Sequence, residues 1–360
     1  MSSHLPQLGV ARQLHEALSD TRKPSAVEVV GVWGSSKTLA VLQAATTLGV
    51  PLLMITAGRL EAEAVYDDLC TFGGEERSLL FPAWEVLPTD IMAPADDIVA
   101  ERMNALKRLS AAGETGEPFY ASIPVRSLLQ HVVNRKLLVD DTITLEVGNE
   151  YDLEELVASL VRFGYERELM VEQRGEMSVR GGIFDIFPIS SELPYRVDFF
   201  GDEIETIRRF EPESQRSVDQ ADHLQILPRS EKALLLQQAK TPGALNTLLD
   251  YLPGGAIIAI DEPGAVLEEV ANLAQQFGDS PYFVSWEALE EPMRRYPTVS
   301  LIQVAQERAR DAVRLTCPVR SVLSWGGDAD GFWEQLKKWD QEEYAVRLLC
   351  NNTGERHRLF

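Results

Sequence analysis

The chain has 360 residues, 45% apolar and 25% charged, with 56 acidic against 34 basic side chains and a formal net charge of −22. That charge excludes nucleic-acid binding through a broad basic face, because phosphate neutralisation dominates such binding; a protein partner or a local basic groove is left. No stretch is apolar for long enough to span a bilayer and the N-terminus lacks a signal-peptide order, while three scattered cysteines (Cys70, Cys317, Cys350) offer neither a disulfide framework nor metal-ligand spacing, so a cytoplasmic protein without a membrane partner is expected.

In chain order, the first part alternates strand and helix, as in an α/β domain with a mainly parallel sheet. Val27–Val30 reads as a buried strand, Lys37–Leu48 as a helix, Pro51–Thr56 as the next strand and Arg59–Leu69 as the next helix. Ser78–Phe81 is a short strand, followed by a proline-rich loop to Asp97, a helix over Glu101–Ala111 and a strand over Phe119–Ile123. Beyond Asp141 the composition shifts: between Lys136 and Lys232 every Lys/Arg position is arginine. Glu154–Phe163 is helical, and Met170–Phe210 alternates like antiparallel strands, with Gly201-Asp202 as a hairpin turn. The α/β rhythm then resumes, with helices over Leu245–Leu252 and Val266–Phe277 and strands over Ala256–Ile260 and Val346–Cys350. The last residues, GERHRLF, open a helix at its first turn, so the chain is expected to be a piece of something longer.

Between the first strand and helix stands GVWGSSKTLA, Gly31 to Ala40. Gly31, Lys37 and Thr38 are in register for the phosphate-binding loop G-x-x-x-x-G-K-[ST], but Ser36 occupies the second glycine. That glycine lets backbone N–H groups close on a phosphate; a Cβ there obstructs the approach. The companion acid for Mg²⁺ has a candidate at the end of AIIAID, in Asp261 and Glu262. Two local alternatives stand beside this degenerate nucleotide site: Asp261 as a helix cap before Pro263, and Lys37-Thr38 as helix-start chemistry without a ligand.

The loop FPAWEVLPTDIMAPADDIVAERMNALKRL and the segment GYERELMVEQRGEMSVRGGIFDIFPISSELPYRVDFFGDEIETIRRFEPESQRSV, Gly164 to Val218, carry a resemblance. Together they resemble the amino-terminal, UvrB-like region of the bacterial transcription-repair coupling factor (Mfd) family. Only ADDIVA separates Pro94 from Glu101, which leaves no room for the DNA-threading hairpin of UvrB itself. The resemblance implies a degenerate RecA-like, P-loop-type parallel-sheet domain split by an inserted antiparallel α+β domain similar to domain 2 of UvrB. Residues 1–143 and 229–360 would form the two halves of the first, and 144–228 the insert.

It further implies an adaptor without catalytic residues or metal that recruits UvrA to stalled RNA polymerase for nucleotide excision repair. RNA polymerase and DNA would be met through parts of the family protein not in this chain. No cofactor is expected in this fragment, ATP and Mg²⁺ belonging to the full-length protein. Arg180 and Phe184 match the family's UvrA-binding arginine and neighbouring hydrophobe, Arg167 lies close to another family arginine, and Arg196 flanks the same strands. If Ile183 and Phe187 face the core, alternation turns Arg180 and Phe184 outward. Against these stand plainer readings: Arg180 pairing with Asp185 or Glu176, and Phe184 packed in the core. The competing function is an ATP-hydrolysing UvrB-like fragment that acts on damaged DNA.

Overall fold

The computed structural model describes residues 7–19, 26–87, 94–241, 243–305, 312–319 and 329–346, with 348, 354 and 357. Helix α1 (Gly9–Leu18) leads into β1 (Ala26–Val30), α2 (Ser36–Leu48), β2 (Leu52–Thr56), α3 (Arg59–Gly73), β3 (Ser78–Leu80), α4 (Asp96–Thr115) and β4 (Tyr120–Pro124). The short helices α5 (Val125–Leu128) and α6 (Arg135–Asp140) precede β5 (Ile143–Glu146) and α7 (Leu153–Arg162). Six strands follow: β6 (Glu166–Arg167), β7 (Glu176–Arg180), β8 (Ile183–Ile186), β9 (Tyr195–Phe200), β10 (Glu203–Phe210) and β11 (Ser217–Ala221). Then come β12 (His223–Ile226), α8 (Glu231–Gln238), β13 (Ile257–Asp261), α9 (Pro263–Phe277), α10 (Trp286–Met293), β14 (Thr298–Ile302), β15 (Val313–Thr316) and α11 (Ala329–Gln341). The chain divides into two units, residues 1–319 and 320–360, and α11 belongs to the second.

Seven strands form one sheet in the order β15-β1-β14-β13-β2-β4-β3, every pair parallel. Helices cover both faces, so the central strands LLMIT (β2) and IIAID (β13) are buried throughout and read as unbroken apolar runs. The pleat sorts their side chains: Leu53, Ile55, Ile258 and Ile260 enter one core with Phe81, Trp84 and Leu106. Leu52, Met54, Ile257 and Ala259 enter the other with Val29, Val41 and Leu301. Strands β13 and β14 come late in the sequence yet lie between β1 and β2, so the RecA-like α/β sheet is completed only when the chain returns.

Between the two halves lies the antiparallel part. Its six strands run β11-β10-β9-β8-β7-β6, antiparallel apart from the β6–β7 pair, and β5 and β12 pair beside them at the points of entry and exit. Asp152 caps α7 by accepting from the Glu154 and Glu155 N–H groups at 2.9 and 3.0 Å, and Leu156 and Leu160 of that helix pack on Met177, Phe184, Ile186, Val197 and Ile207. One face of the sheet is therefore a core. The other carries Ser178, Asp185 and Arg196, with Leu169 hydrogen-bonded to Ser178 and Gln215 to Arg196.

The exit is fastened to the parallel part by a buried ion pair. Arg102 of α4 grips Glu231, the first residue of α8, through Nε at 2.8 Å and Nη2 at 2.9 Å, with neither side chain exposed. Trp84 Nε1 donates to the same carboxylate at 2.8 Å, Arg102 Nη1 donates to the Pro82 carbonyl at 2.8 Å, and the guanidinium lies 4.4 Å above the Phe81 ring. Every charge in this cluster is met, which is what makes its burial affordable.

Two expectations change. The helix over Leu245–Leu252 reduces to one 3-10 turn at Leu248–Tyr251. Asn246 instead pairs backbone to backbone with Val132, and its side chain accepts from the Arg135 N–H, which holds the chain extended before the turn. Of Val346–Cys350, residues 347, 349 and 350 lie outside the described residues. Strands β5, β12, β14 and β15 and helices α1, α5, α6, α8, α10 and α11 are not among the expected elements.

Candidate functional site

At the end of β1 the loop closes on itself. Gly31 has a left-handed φ of +84°, and a Cβ there would stand 2.6 Å from the Cys317 carbonyl oxygen, so glycine is required by its neighbour. Beyond it, Ser36 Oγ donates to the Trp33 carbonyl at 2.7 Å and accepts from the Trp33 N–H at 2.9 Å. The Ser36 and Lys37 N–H groups turn to the Trp33 and Gly34 carbonyls at 3.2 and 3.4 Å. A phosphate-binding loop keeps such groups aimed at the anion.

The remaining side chains of the motif are engaged as well. Lys37 Nζ is ion-paired with Asp261, both largely buried. Thr38 Oγ1 donates to Asp68 at 3.0 Å, and Glu262, at a left-handed φ of +48°, accepts from the Gln303 N–H at 2.7 Å. Burial raises the Asp68 carboxyl above its usual range, opposed by hydrogen bonds from Ser35 and Thr38 and by the Lys37 charge. Structure thus brings Lys37, Thr38 and Asp261 together, as the motif implies, but hands each a protein partner. As arranged, these residues do not fit a magnesium–nucleotide. Seating one would open the Ser36–Trp33 turn and exchange the Lys37–Asp261 ion pair for contacts to the phosphates and the metal.

The second site is the face of the six-stranded sheet opposite its core, partly covered by the segment 169–171 and by Gln215 and open at Arg180 and Ile183. The β7–β8 hairpin turns over Gly181-Gly182 and pairs Arg180 with Ile183, Val179 with Phe184 and Ser178 with Asp185. Paired residues share a face, so Phe184 follows Val179 into the core and is fully buried. The outward placement of Phe184 is corrected: Ile183 faces out, and Phe187 joins a separate cluster with Val171 and Phe210. A shift of one residue in the assumed alternation inverts every side chain of a strand. Gly182 is held by a close approach: a Cβ there would stand 2.7 Å from the Phe199 carbonyl oxygen.

Arg180 does face outward, its side chain 49% exposed, and donates through Nη2 to Asp185 at 2.6 Å. Asp185 is 1% exposed and also accepts from Arg196 Nε at 2.7 Å and Nη2 at 2.9 Å. One carboxylate therefore orients two guanidinium groups from neighbouring strands and leaves the group with a net positive charge. Arg196, 17% exposed, is locked further: it lies 4.6 Å over the Phe210 ring and donates to the Gln215 side-chain oxygen at 3.1 Å. The same face continues through Asp198, which accepts from Thr206 at 2.5 Å and is ion-paired with Arg208.

Arg167 is not part of this group. It is exposed on edge strand β6, in register with the core residue Met177, and so emerges away from the Arg180 row. The sequence did offer Asp185 as a partner for Arg180. The second arginine on that carboxylate was hidden, since it depends on the β8–β9 register.

Residues 143–231 match the family model of the UvrB interaction domain. Over 315 residues, 83% of this chain, the sequence is 30% identical to the transcription-repair-coupling factor of Escherichia coli (strain K12), covering 26% of that protein. It is 30% identical over 218 residues to that of Bacillus subtilis (strain 168), 61% of this chain and 18% of the relative. Against that of Mycobacterium tuberculosis (strain CDC 1551 / Oshkosh) it is 39% identical over 191 residues, 52% of this chain and 15% of the relative. The chain thus spans at most 26% of the length of these relatives. No described helix is long and apolar enough to cross a membrane.

Proposed function

For a chain that carries a UvrB interaction domain and is similar to transcription-repair-coupling factors, we propose a non-catalytic adaptor that docks UvrA and brings it to stalled RNA polymerase in nucleotide excision repair. Residues 1–143 and 229–360 serve as the platform and 144–228 as the docking insert. RNA polymerase and DNA are met by parts of the longer protein, in the cytoplasm. The observation that carries this reading is the outer sheet face, where Asp185 holds Arg180 with much of its fork in solvent.

An arginine oriented in this way loses little conformational freedom when a partner carboxylate binds it, and arginine is enriched among interface anchors. On a chain of net charge −22, the excess positive charge of Arg180 and Arg196 around Asp185 gives an acidic partner surface one local place to meet. The locked loop around Ser36 supports the non-catalytic half of the reading, and no cofactor is proposed for this chain.

Titration of labelled cognate UvrA with the wild-type chain and Arg180→Ala tests it. A truncated arginine anchor weakens binding by about tenfold or more; equal affinity, with the fold unchanged by circular dichroism, overturns the assignment. ATP turnover with and without DNA separates this reading from the hydrolysing alternative, and turnover above background would favour the latter.

A further inference from the structure

We propose that Phe200, with Ile183 beside it, is the apolar anchor of this docking face, seated in an apolar recess of the partner next to the carboxylate that meets Arg180. The proposal rests on the reading of the face as a UvrA-docking surface, and it gives to Phe200 the hydrophobic part that the buried Phe184 cannot play.

Along β9 the side chains alternate. Val197 and Phe199 enter the core, so Asp198 and Phe200 stand on the outer face. Phe200 is 75% exposed, while Phe199 beside it is buried. Ile183, 37% exposed, lies directly across from Asp198 on β8, and Arg180 directly across from Ile183 on β7. Phe200 is thus the diagonal neighbour of Ile183, a spacing of about 7–8 Å that an aromatic ring bridges. Arginine, isoleucine and phenylalanine form one contiguous strip. Beside it opens a cleft of about 420 Å³ lined by Ile183, Asp198, Glu205, Thr206, Arg208 and Gln220 among others, in which Asp198 is already ion-paired with Arg208.

A single exposed apolar residue on a surface needs no explanation. Phe200 differs in how firmly it is presented. It closes the two-residue turn at Gly201-Asp202 by pairing with Glu203, and that turn is buttressed from outside the hairpin. Tyr151 N–H donates to the Asp202 carbonyl at 2.7 Å, Gly148 N–H to the Ile204 carbonyl at 2.8 Å, and Ile204 N–H to the Asn149 carbonyl at 3.0 Å. A ring with two rotatable bonds on an immobilised backbone forfeits little entropy on binding, which is what distinguishes an interface anchor from a floppy surface residue. The proposed occupant, UvrA, would offer the strip one carboxylate for the half-exposed Arg180 and, within one strand spacing, an apolar recess for Phe200 and Ile183.

The test is a titration of labelled cognate UvrA against the wild-type chain, Phe200→Ser, Ile183→Thr, Arg180→Ala and Leu60→Ser. Leu60 is 77% exposed on α3, away from this face, and reports the effect of removing any exposed apolar side chain. Phe200→Ser is expected to weaken binding by about tenfold or more and Ile183→Thr by less, with Leu60→Ser unchanged and all circular dichroism spectra superimposable. Phe200→Trp should retain binding. If Arg180→Ala weakens binding and Phe200→Ser stays within twofold of wild type, the anchor is refuted and the docking reading survives. Should Leu60→Ser match Phe200→Ser, the effect is general hydrophobicity and the anchor is refuted. If the wild-type chain does not bind UvrA at all, both fall.

Discussion

Replacing Asp185 by asparagine removes the negative charge between two guanidinium groups while keeping the side chain's size. Asp185 accepts three charge-assisted bonds, one from Arg180 at 2.6 Å and two from Arg196 at 2.7 and 2.9 Å. Arg180 is half in solvent, so its bond counts for roughly 0–1 kcal/mol. Arg196 is largely buried, and a bond to a charged group there is worth roughly 1.5–3 kcal/mol. Asparagine keeps one oxygen for Arg196 but turns an NH₂ group toward a cation. The net loss is then about 2–3 kcal/mol of stability. Urea unfolding followed by a probe in the antiparallel part measures it. In a cycle with Arg196→Met, the two positions should couple by at least about 1 kcal/mol. Arg180, released from its anchor, should bind UvrA several-fold more weakly. A loss below about 1 kcal/mol, or strict additivity with Arg196→Met, would refute the shared carboxylate as the organiser of this face.

Glu231→Ala leaves the Arg102 guanidinium buried without its counter-charge and Trp84 Nε1 without its acceptor, so a loss of about 3–5 kcal/mol is expected in denaturant unfolding. The double change Arg102→Met, Glu231→Leu should recover most of it, because the cost lies in the orphaned charge. Asp68→Asn should stabilise the protein at neutral pH: burial raises this carboxyl in the folded state, so its ionised form opposes folding there. Folded protein binds that proton more tightly than unfolded protein does. The advantage of asparagine must therefore shrink as pH falls through the raised carboxyl range. Melting temperatures across acid pH check the sign, and an advantage that grows on acidification would contradict it.

Local chemistry explains what could be read without the fold. The runs at Val27–Val30, Pro51–Thr56 and Ala256–Ile260 announce strands because a sheet covered on both faces takes apolar side chains at nearly every position, and the exception in β1, the buried Glu28, is ion-paired with Arg314 of β15. Ser36 announces a damaged phosphate loop because the obstacle is its own Cβ, and Gly201-Asp202 announces a turn for similarly short-range reasons. Leu245–Leu252 misled because its apolar spacing suits a helix, while Asn246 is claimed by Val132, 114 positions earlier in the chain.

By itself, then, the order of residues determined the central sheet-forming segments, the presence of a parallel α/β part and an antiparallel part, and the residue types available at each loop, but not strands β14 and β15. Tertiary structure alone decided which way those residues point. Whether Phe184 or Ile183 meets solvent turns on how β7 and β8 register across Gly181-Gly182, and the side-chain period of two allows either answer until that pairing exists. Lys37 of α2 meets Asp261 at the end of β13, and Arg196 of β9 meets Asp185 of β8, so each pairing arises only when those elements pack.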